Sequence, residues 1–349
     1  MSAREPGNGA EPNYLPLREL GRRLRDGELS PLALTERCLQ LLETHGARFN
    51  AVVTLTGERA HAQARRAEVD LKAGRVRGPL HGIPYGAKDL LATSGGIPTT
   101  WGFAPLREQV FDEDAAVIKR LDAAGAILVA KLAMVELAGG MLYDQPNATF
   151  TGPGINPWNT EAWTGGSSSG SGAAVALGLV PFAIGTETNG SITGPSAMCG
   201  LTGLRPGFGL VSRRGAMALS WTLDKIGPIC HGAEDCGLVL EAIAGAHAGD
   251  DTSETRPFRY QPAAPERGKW RLCVLRGEKG TPQPAVAENL RIALEVLEAV
   301  AEFEERELPP HPYHEAALTV MCAEAGAAFA HLAENGWAER LTAPESRAV

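Results

Sequence analysis

Apolar residues recur at helical spacing in several stretches and cluster into short runs in others. Ser30-Pro31 places a capping hydroxyl and then a proline at the first turn of a helix over LALTERCLQLLETHG, which ends at Gly46. AVVTLT, residues 51–56, reads as a strand, and TGERAHAQARRAEVDLKAG, 56–74, as an exposed helix. GIPYGAKDLL, 82–91, is a short strand or extended turn running into charge. DEDAAVIKRLDAAG, 112–125, reads as an amphipathic helix with an acidic first turn, followed by the strand AILVAK. GSGAAVALGLV, 170–180, reads as a helix, and VPFAIGT, 180–186, as a buried strand. Past a polar, proline-bearing connection at 250–268, the pattern predicts the strand WRLCVLR, a helix over 285–303, the strand FEEREL and a helix over 314–336.

Strands alternating with helices through 50–200 predict an α/β sheet covered by helices. Residues 1–12 read as a loose tail, and 13–349 as a single domain. The last nine residues, LTAPESRAV, supply no closing element, so the fold is expected to stop partway.

Composition narrows the classes. An apolar fraction of 44% and a charged fraction of 21% fit a globular protein. A net charge of -8 argues against nucleic acid as the main partner. The longest apolar run, AAVALGLVPFAIG, has about 13 residues, short of the ~20 that span a bilayer. No secretory leader is visible at the start. The six cysteines form no CxxC pair and read as reduced core thiols of a cytoplasmic protein.

The chemistry concentrates in two serine-bearing segments. TGGSSSGSGAAVA, 164–176, runs directly into an apolar helix, unlike a Gly/Ser linker, and lacks the Gly-Lys-Ser/Thr of a phosphate loop. GSSSG within it matches a nucleophile elbow centred on Ser168, but NPWNTEAWTGG before it is loop-like where an elbow needs a strand. In GTETNGSITGPS, 185–196, Ser191 sits among small residues at the mouth of a strand. No histidine lies between His81 and His231 to act as its base. Lys88 is the alternative base, set against a plain surface pair with Asp89. HEAAL at 314–318 lacks the second histidine of a zinc motif.

GIPYGAKDLL, GGSSSGSGAAVA and GTETNGSITGPS together resemble the amidase signature family. Gly165, Gly166, Ser167 and Gly170 match the opening of its pattern, and Glu187, Gly190, Ser191, Ile192 and Pro195 match the close. The resemblance extends through CGLTGLRP and ALSWTLDKIGPI and fades near residue 240. It implies an amidase-signature fold, with a central mixed β-sheet covered by helices, and with the C-terminal strands missing from this chain.

The resemblance further implies Ser191 as nucleophile, Ser167 as bridging serine after a cis peptide, and Lys88 as base. Backbone N–H groups of Thr188, Asn189, Gly190 and Ser191 would form the oxyanion hole. Met141 is a candidate for lining the substrate cavity. The implied activity is hydrolysis of a carboxylic amide through an acyl-enzyme, with no cofactor and no metal. The implied partner is a small-molecule amide, with no nucleic acid, no membrane, and a homodimer allowed. The alternatives are a glutamine-hydrolysing A subunit of an aminoacyl-tRNA amidotransferase, or a truncated inactive homologue. Two positions depart from the pattern: Asn189 stands where glycine is usual, and Thr193 where arginine is usual. The second raises the question of what neutralises Glu187.

Overall fold

The computed structural model describes residues 11–139, 146, 148–262, 268–276 and 282–343. Met141 and the last six residues lie outside the described residues. The chain divides into two compact units, one of Met1–Tyr260 with Thr319–Val349 and one of Gln261–Leu318.

The first unit is built on a mixed sheet flanked by helices. After α1 (Leu17–Arg25), α2 (Pro31–Leu41) opens as its sequence requires, with Ser30 Oγ accepting from Ala33 N at 3.2 Å. There follow β1 (Val52–Leu55), α3 (Gly57–Lys72), β2 (Pro84–Lys88), α4 (Ala116–Ala123) and β3 (Ile127–Leu132). Then come α5 (Ser169–Ala176), β4 (Phe182–Glu187), α6 (Thr193–Met198), β5 (Thr202–Gly203), β6 (Lys225–Cys230) and α7 (Ala233–Ile243). The strand order is β1-β3-β2-β4-β6-β5. β2 lies parallel to both β3 and β4, while β1, β6 and β5 run antiparallel to their neighbours.

Alternation along the strands feeds two apolar layers. Leu128, Phe182 and Ile184 join one core with Leu20 and Leu24 of α1, Val117 and Leu121 of α4 and Leu240 of α7. Ile127, Val129 and Ala183 join the other with Ala60 and Ala64 of α3 and Ala173 and Val175 of α5. Every residue of β2, β3, β4 and β6 is buried.

Three expectations need correction. The acidic residues Asp112, Glu113 and Asp114 precede α4 rather than forming its first turn, because Asp114 is drawn to Arg59 (2.8 and 2.7 Å) and Ser94 N (2.8 Å). The helix expected over 285–303 stops at Leu297, and Ala301–Phe303 belong to a strand. Of the cysteines, all free, Cys38, Cys199, Cys230 and Cys236 are buried, but Cys273 and Cys322 are exposed and not core.

The second unit holds β7 (Trp270–Arg276), α8 (Pro284–Leu297) and β8 (Ala301–Glu307), with the two strands parallel. Leu272 and Leu275 on β7 and Leu290, Ile292 and Val296 on α8 are exposed. After β8 the chain forms α9 (Tyr313–Ala328) and α10 (Ala330–Glu334), a break in the helix expected over 314–336. Within the first unit, Leu332 joins its core and Trp337 packs 6.2 Å from Phe103. Among the described residues no helix is long and apolar enough to cross a membrane.

A two-stranded sheet with open apolar faces has little to hold it closed. Amide hydrogen exchange along β7 and β8 is therefore expected to run orders of magnitude faster than along β2 and β4. Equal protection in a native-state exchange experiment would show that the exposed faces are covered in solution.

Candidate active site

The site forms where β2 and β4 end, at the carboxyl edge of the parallel core of the sheet, a usual place for ligand sites in such sheets. Lys88 closes β2 and is 0% exposed. Its Nζ donates to Ser167 Oγ at 2.7 Å, Thr186 Oγ1 at 2.9 Å and Thr186 O at 3.4 Å. All three acceptors are neutral, and Lys88 makes no ion pair among the described residues. Burial pulls its amine down to about 7, against the opposing pull of Asp224 and Glu187.

The alternative of a surface pair with Asp89 is replaced by a different pairing. Asp89 Oδ1 forms an ion pair with Lys131 Nζ at 3.0 Å, and its Oδ2 accepts from Thr100 N at 3.0 Å and Thr100 Oγ1 at 2.5 Å, all buried. Consecutive extended residues point to opposite faces, so Lys88 and Asp89 part company.

Ser167 lies in the turn that enters α5, and the Gly166–Ser167 peptide is cis. A side chain at position 166 has no room, since a Cβ there would meet Trp163 Cζ2 and Val135 Cγ2 at 2.8 Å. Ser168, the elbow candidate, is fully buried. Its Oγ donates to Thr186 O at 3.2 Å and accepts from Thr186 N at 3.4 Å, so it ties the serine turn to β4. Among the described residues no strand leads directly into it, and the elbow geometry is absent.

Ser191 sits in the turn between β4 and α6, 4% exposed, and its carbonyl accepts from Ser168 N at 3.3 Å. Gly190 takes the positive φ of the turn, 87°, so Asn189 needs no left-handed backbone and stays exposed at the surface. Gly194 N closes the turn onto Gly190 O at 2.7 Å. Among the described residues the amides of Asn189 and Gly190 have no acceptor. Glu187 Oε2 accepts from Ile192 N, Thr193 N and Thr193 Oγ1 at 2.9, 2.8 and 3.1 Å. Thr188 Oγ1 donates to Asp224 Oδ1 at 2.5 Å, and Asp224 Oδ2 also takes Leu219 N and Ser220 N.

A cavity of about 270 Å³ opens beside this turn, lined by Thr186, Thr188, Asp224, Met217, Arg213 and Trp221 among others. Sequence reasoning singled out neither Thr186 nor Asp224. The signals were a threonine at the mouth of β4 and an aspartate just before the GPI of β6. Among the described residues no cluster of three His, Cys, Asp or Glu side chains could hold a metal ion.

The amidase family model matches residues 33–347. This chain belongs to the amidase family. It is 44% identical over 241 residues to the A subunit of glutamyl-tRNA(Gln) amidotransferase from Methylococcus capsulatus, covering 69% of this chain and 49% of that protein. The protein of the same name from a Roseiflexus species is 39% identical over 311 residues, covering 86% and 62%. The structure of peptide amidase from Stenotrophomonas maltophilia superposes with a TM-score of 0.81 at 33% identity, over 89% of this chain and 66% of that one. This amidase chain thus spans about half to three fifths of the length of the curated relatives it matches. The mixed sheet covered by helices is the amidase-signature fold that the sequence implied.

The tight seat of Gly166 generates a stability test. Gly166→Ala is expected to destabilise the chain by about 1–3 kcal/mol, the usual cost of overpacking a close-packed site. Chemical denaturation midpoints measure it, and an unchanged midpoint would mean that Trp163 and Val135 yield freely.

Proposed function

We propose that this chain hydrolyses a carboxylic amide through an acyl-enzyme on Ser191, with Ser167 and Lys88 as its proton path. The observation that carries this reading is the fully buried Lys88, bonded to Ser167 and to Thr186 without a carboxylate partner. An ordinary lysine is protonated at neutral pH and cannot act as a base. One pulled down to about 7 is available as the neutral amine for a large part of the time.

Neutral Lys88 Nζ takes the proton of Ser167, and Ser167 takes the proton of Ser191. Ser191 Oγ forms a bond to the amide carbon, and the carbonyl oxygen becomes an oxyanion. The amides of Asn189 and Gly190, with those of Thr188 and Ser191, are the proposed donors to that oxygen, each worth about 3 kcal/mol when well aimed. The C–N bond then breaks, and the leaving nitrogen takes the proton back along the same path. Water attacks the ester, releases the acid and restores Ser191. Every proton removed is returned, and the chemistry asks for no cofactor.

A second reading is favoured by the names of the relatives, which are glutamyl-tRNA(Gln) amidotransferase A subunits at 38–44% identity. Under it the amide is that of glutamine, and the ammonia passes to partner proteins. The expected absence of a nucleic-acid partner belongs to the first reading only, since the relatives' name includes a tRNA. Ammonia release from glutamine only when partner proteins are added would favour the second reading. Release from simple amides by the chain alone would favour the first.

The deciding measurement is labelling by a fluorophosphonate probe. Wild type is expected to label on Ser191, and Ser191→Ala to remain folded and unlabelled. A label on Ser168 would relocate the nucleophile. No label at all on folded wild type would leave the inactive homologue as the reading.

The base has its own test. Single-turnover acylation is expected to fall on the acid side with a midpoint of about 7, as Lys88 gains a proton, and to recover as pH rises. Lys88→Ala is expected to lose about 10²–10⁴ of the rate, the worth of a placed general base, with little change in substrate affinity. A mutant that keeps its rate and the same acid limb would place the base elsewhere.

A further inference from the structure

The Ser191 turn hangs on one carboxylate. Glu187 is the last residue of β4 and is 3% exposed. Its Oε2 takes all three donors supplied by Ile192 and Thr193, the two residues that follow Ser191. A carboxylate this buried holds its charge at a cost unless a cation answers it. The neighbouring lysine acts on it through its charge alone. Lys225 lies opposite Glu187 in the strand pairing and interacts with it electrostatically, but its Nζ donates to Leu223 O. The ion pair comes from another segment. Arg205 Nε stands 3.4 Å from Glu187 Oε1. The segment that carries it is fixed to the sheet just past β5, where Leu204 N donates to Pro228 O at 3.1 Å.

We infer that Arg205 is a positioning residue for the Ser191 turn, acting through Glu187 and supplying from outside the turn the positive charge that position 193 lacks. The two oxygens of Glu187 divide the work. One receives Arg205 and the other receives the turn, so the ion pair sets where the turn is held. Thr193 keeps a neutral bond to the same carboxylate, and its short side chain leaves Oε1 open to Arg205. The proposal rests on Ser191 as nucleophile only for its consequence in rate. The positioning of the turn is independent of that reading.

The test uses Arg205→Ala, Arg205→Lys and the double variant Arg205→Ala with Thr193→Arg, on the whole chain. Two quantities are read: the saturating rate of fluorophosphonate labelling, and the hydrogen exchange of the Ile192 and Thr193 amides. Arg205→Ala is expected to slow labelling by about 5-fold, the scale of a part-exposed ion pair, without weakening probe binding. The Ile192 and Thr193 amides should exchange faster. Thr193→Arg should restore most of both, by returning a cation to Glu187 from the turn itself, and Arg205→Lys should restore part. The Arg205 side chain is exposed, so its removal leaves the core intact, and thermal unfolding confirms folding of each variant. Unchanged exchange in Arg205→Ala overturns the inference, as does a folded double variant that recovers nothing. If wild type is not labelled at Ser191, the catalytic reading fails and exchange alone decides the positioning.

Discussion

A lysine nitrogen with no exposure must find its hydrogen bonds inside the protein, and Lys88 finds only neutral oxygens. That constraint organises the region around it. β2 must be buried on both faces and flanked by parallel strands for its last residue to be sealed from water. β4 must end where Thr186 can offer both its hydroxyl and its carbonyl. The serine turn before α5 must come close enough to bring Ser167 within 2.7 Å, and Gly166 permits the approach that a side chain would block. A carboxylate in the place of any of these oxygens would hold the lysine charged and remove the property on which the proposed chemistry rests. The nearby Asp89 is kept from that role by Lys131.

The serine turn and the Ser191 turn are fastened to each other through β4. Ser168 bonds both polar groups of the Thr186 backbone, and its own amide reaches the carbonyl of Ser191. Ser168 therefore matters as a tie, although its spacing in GSSSG suggested a nucleophile. A serine hydroxyl that both donates and accepts suits this task, because one side chain satisfies two backbone groups at once.

Much of this was legible in the chain itself. The strands AVVTLT, AILVAK and VPFAIGT announce themselves by short apolar runs, and Ser30-Pro31 marks its helix start. The three signature segments named Lys88, Ser167 and Ser191, and the structure brings Lys88 into contact with Ser167, with Ser191 in the neighbouring turn. β6 was hidden, because IGPI carries a glycine and a proline, residues that argue against a central strand. Pro228 nonetheless lies opposite Ile184 within it. Asp224 escaped notice because Thr188, the side chain it ties to the turn, lies 36 residues away in the chain. The two departures were visible but not their consequences. The left-handed φ of the turn falls on Gly190 and not on Asn189, so the backbone at 189 needs no glycine. Thr193 is accommodated by Arg205, twelve residues further on, a distance in sequence that no local reading connects.

The carboxylates that organise the Ser191 turn also act on the proposed base. Glu187 holds Ile192 and Thr193, and Asp224 holds Thr188, so the turn is gripped on both sides of Ser191 by negative charge. Those same two charges oppose the effect of burial on Lys88. Burial lowers the proton affinity of the amine and the two carboxylates raise it, so both bear on how readily it takes a serine proton. Placement of the proposed nucleophile and tuning of the proposed base therefore share the same two carboxylates. Moving either carboxylate to reshape the turn would also shift the lysine, and this couples the two halves of the site to each other.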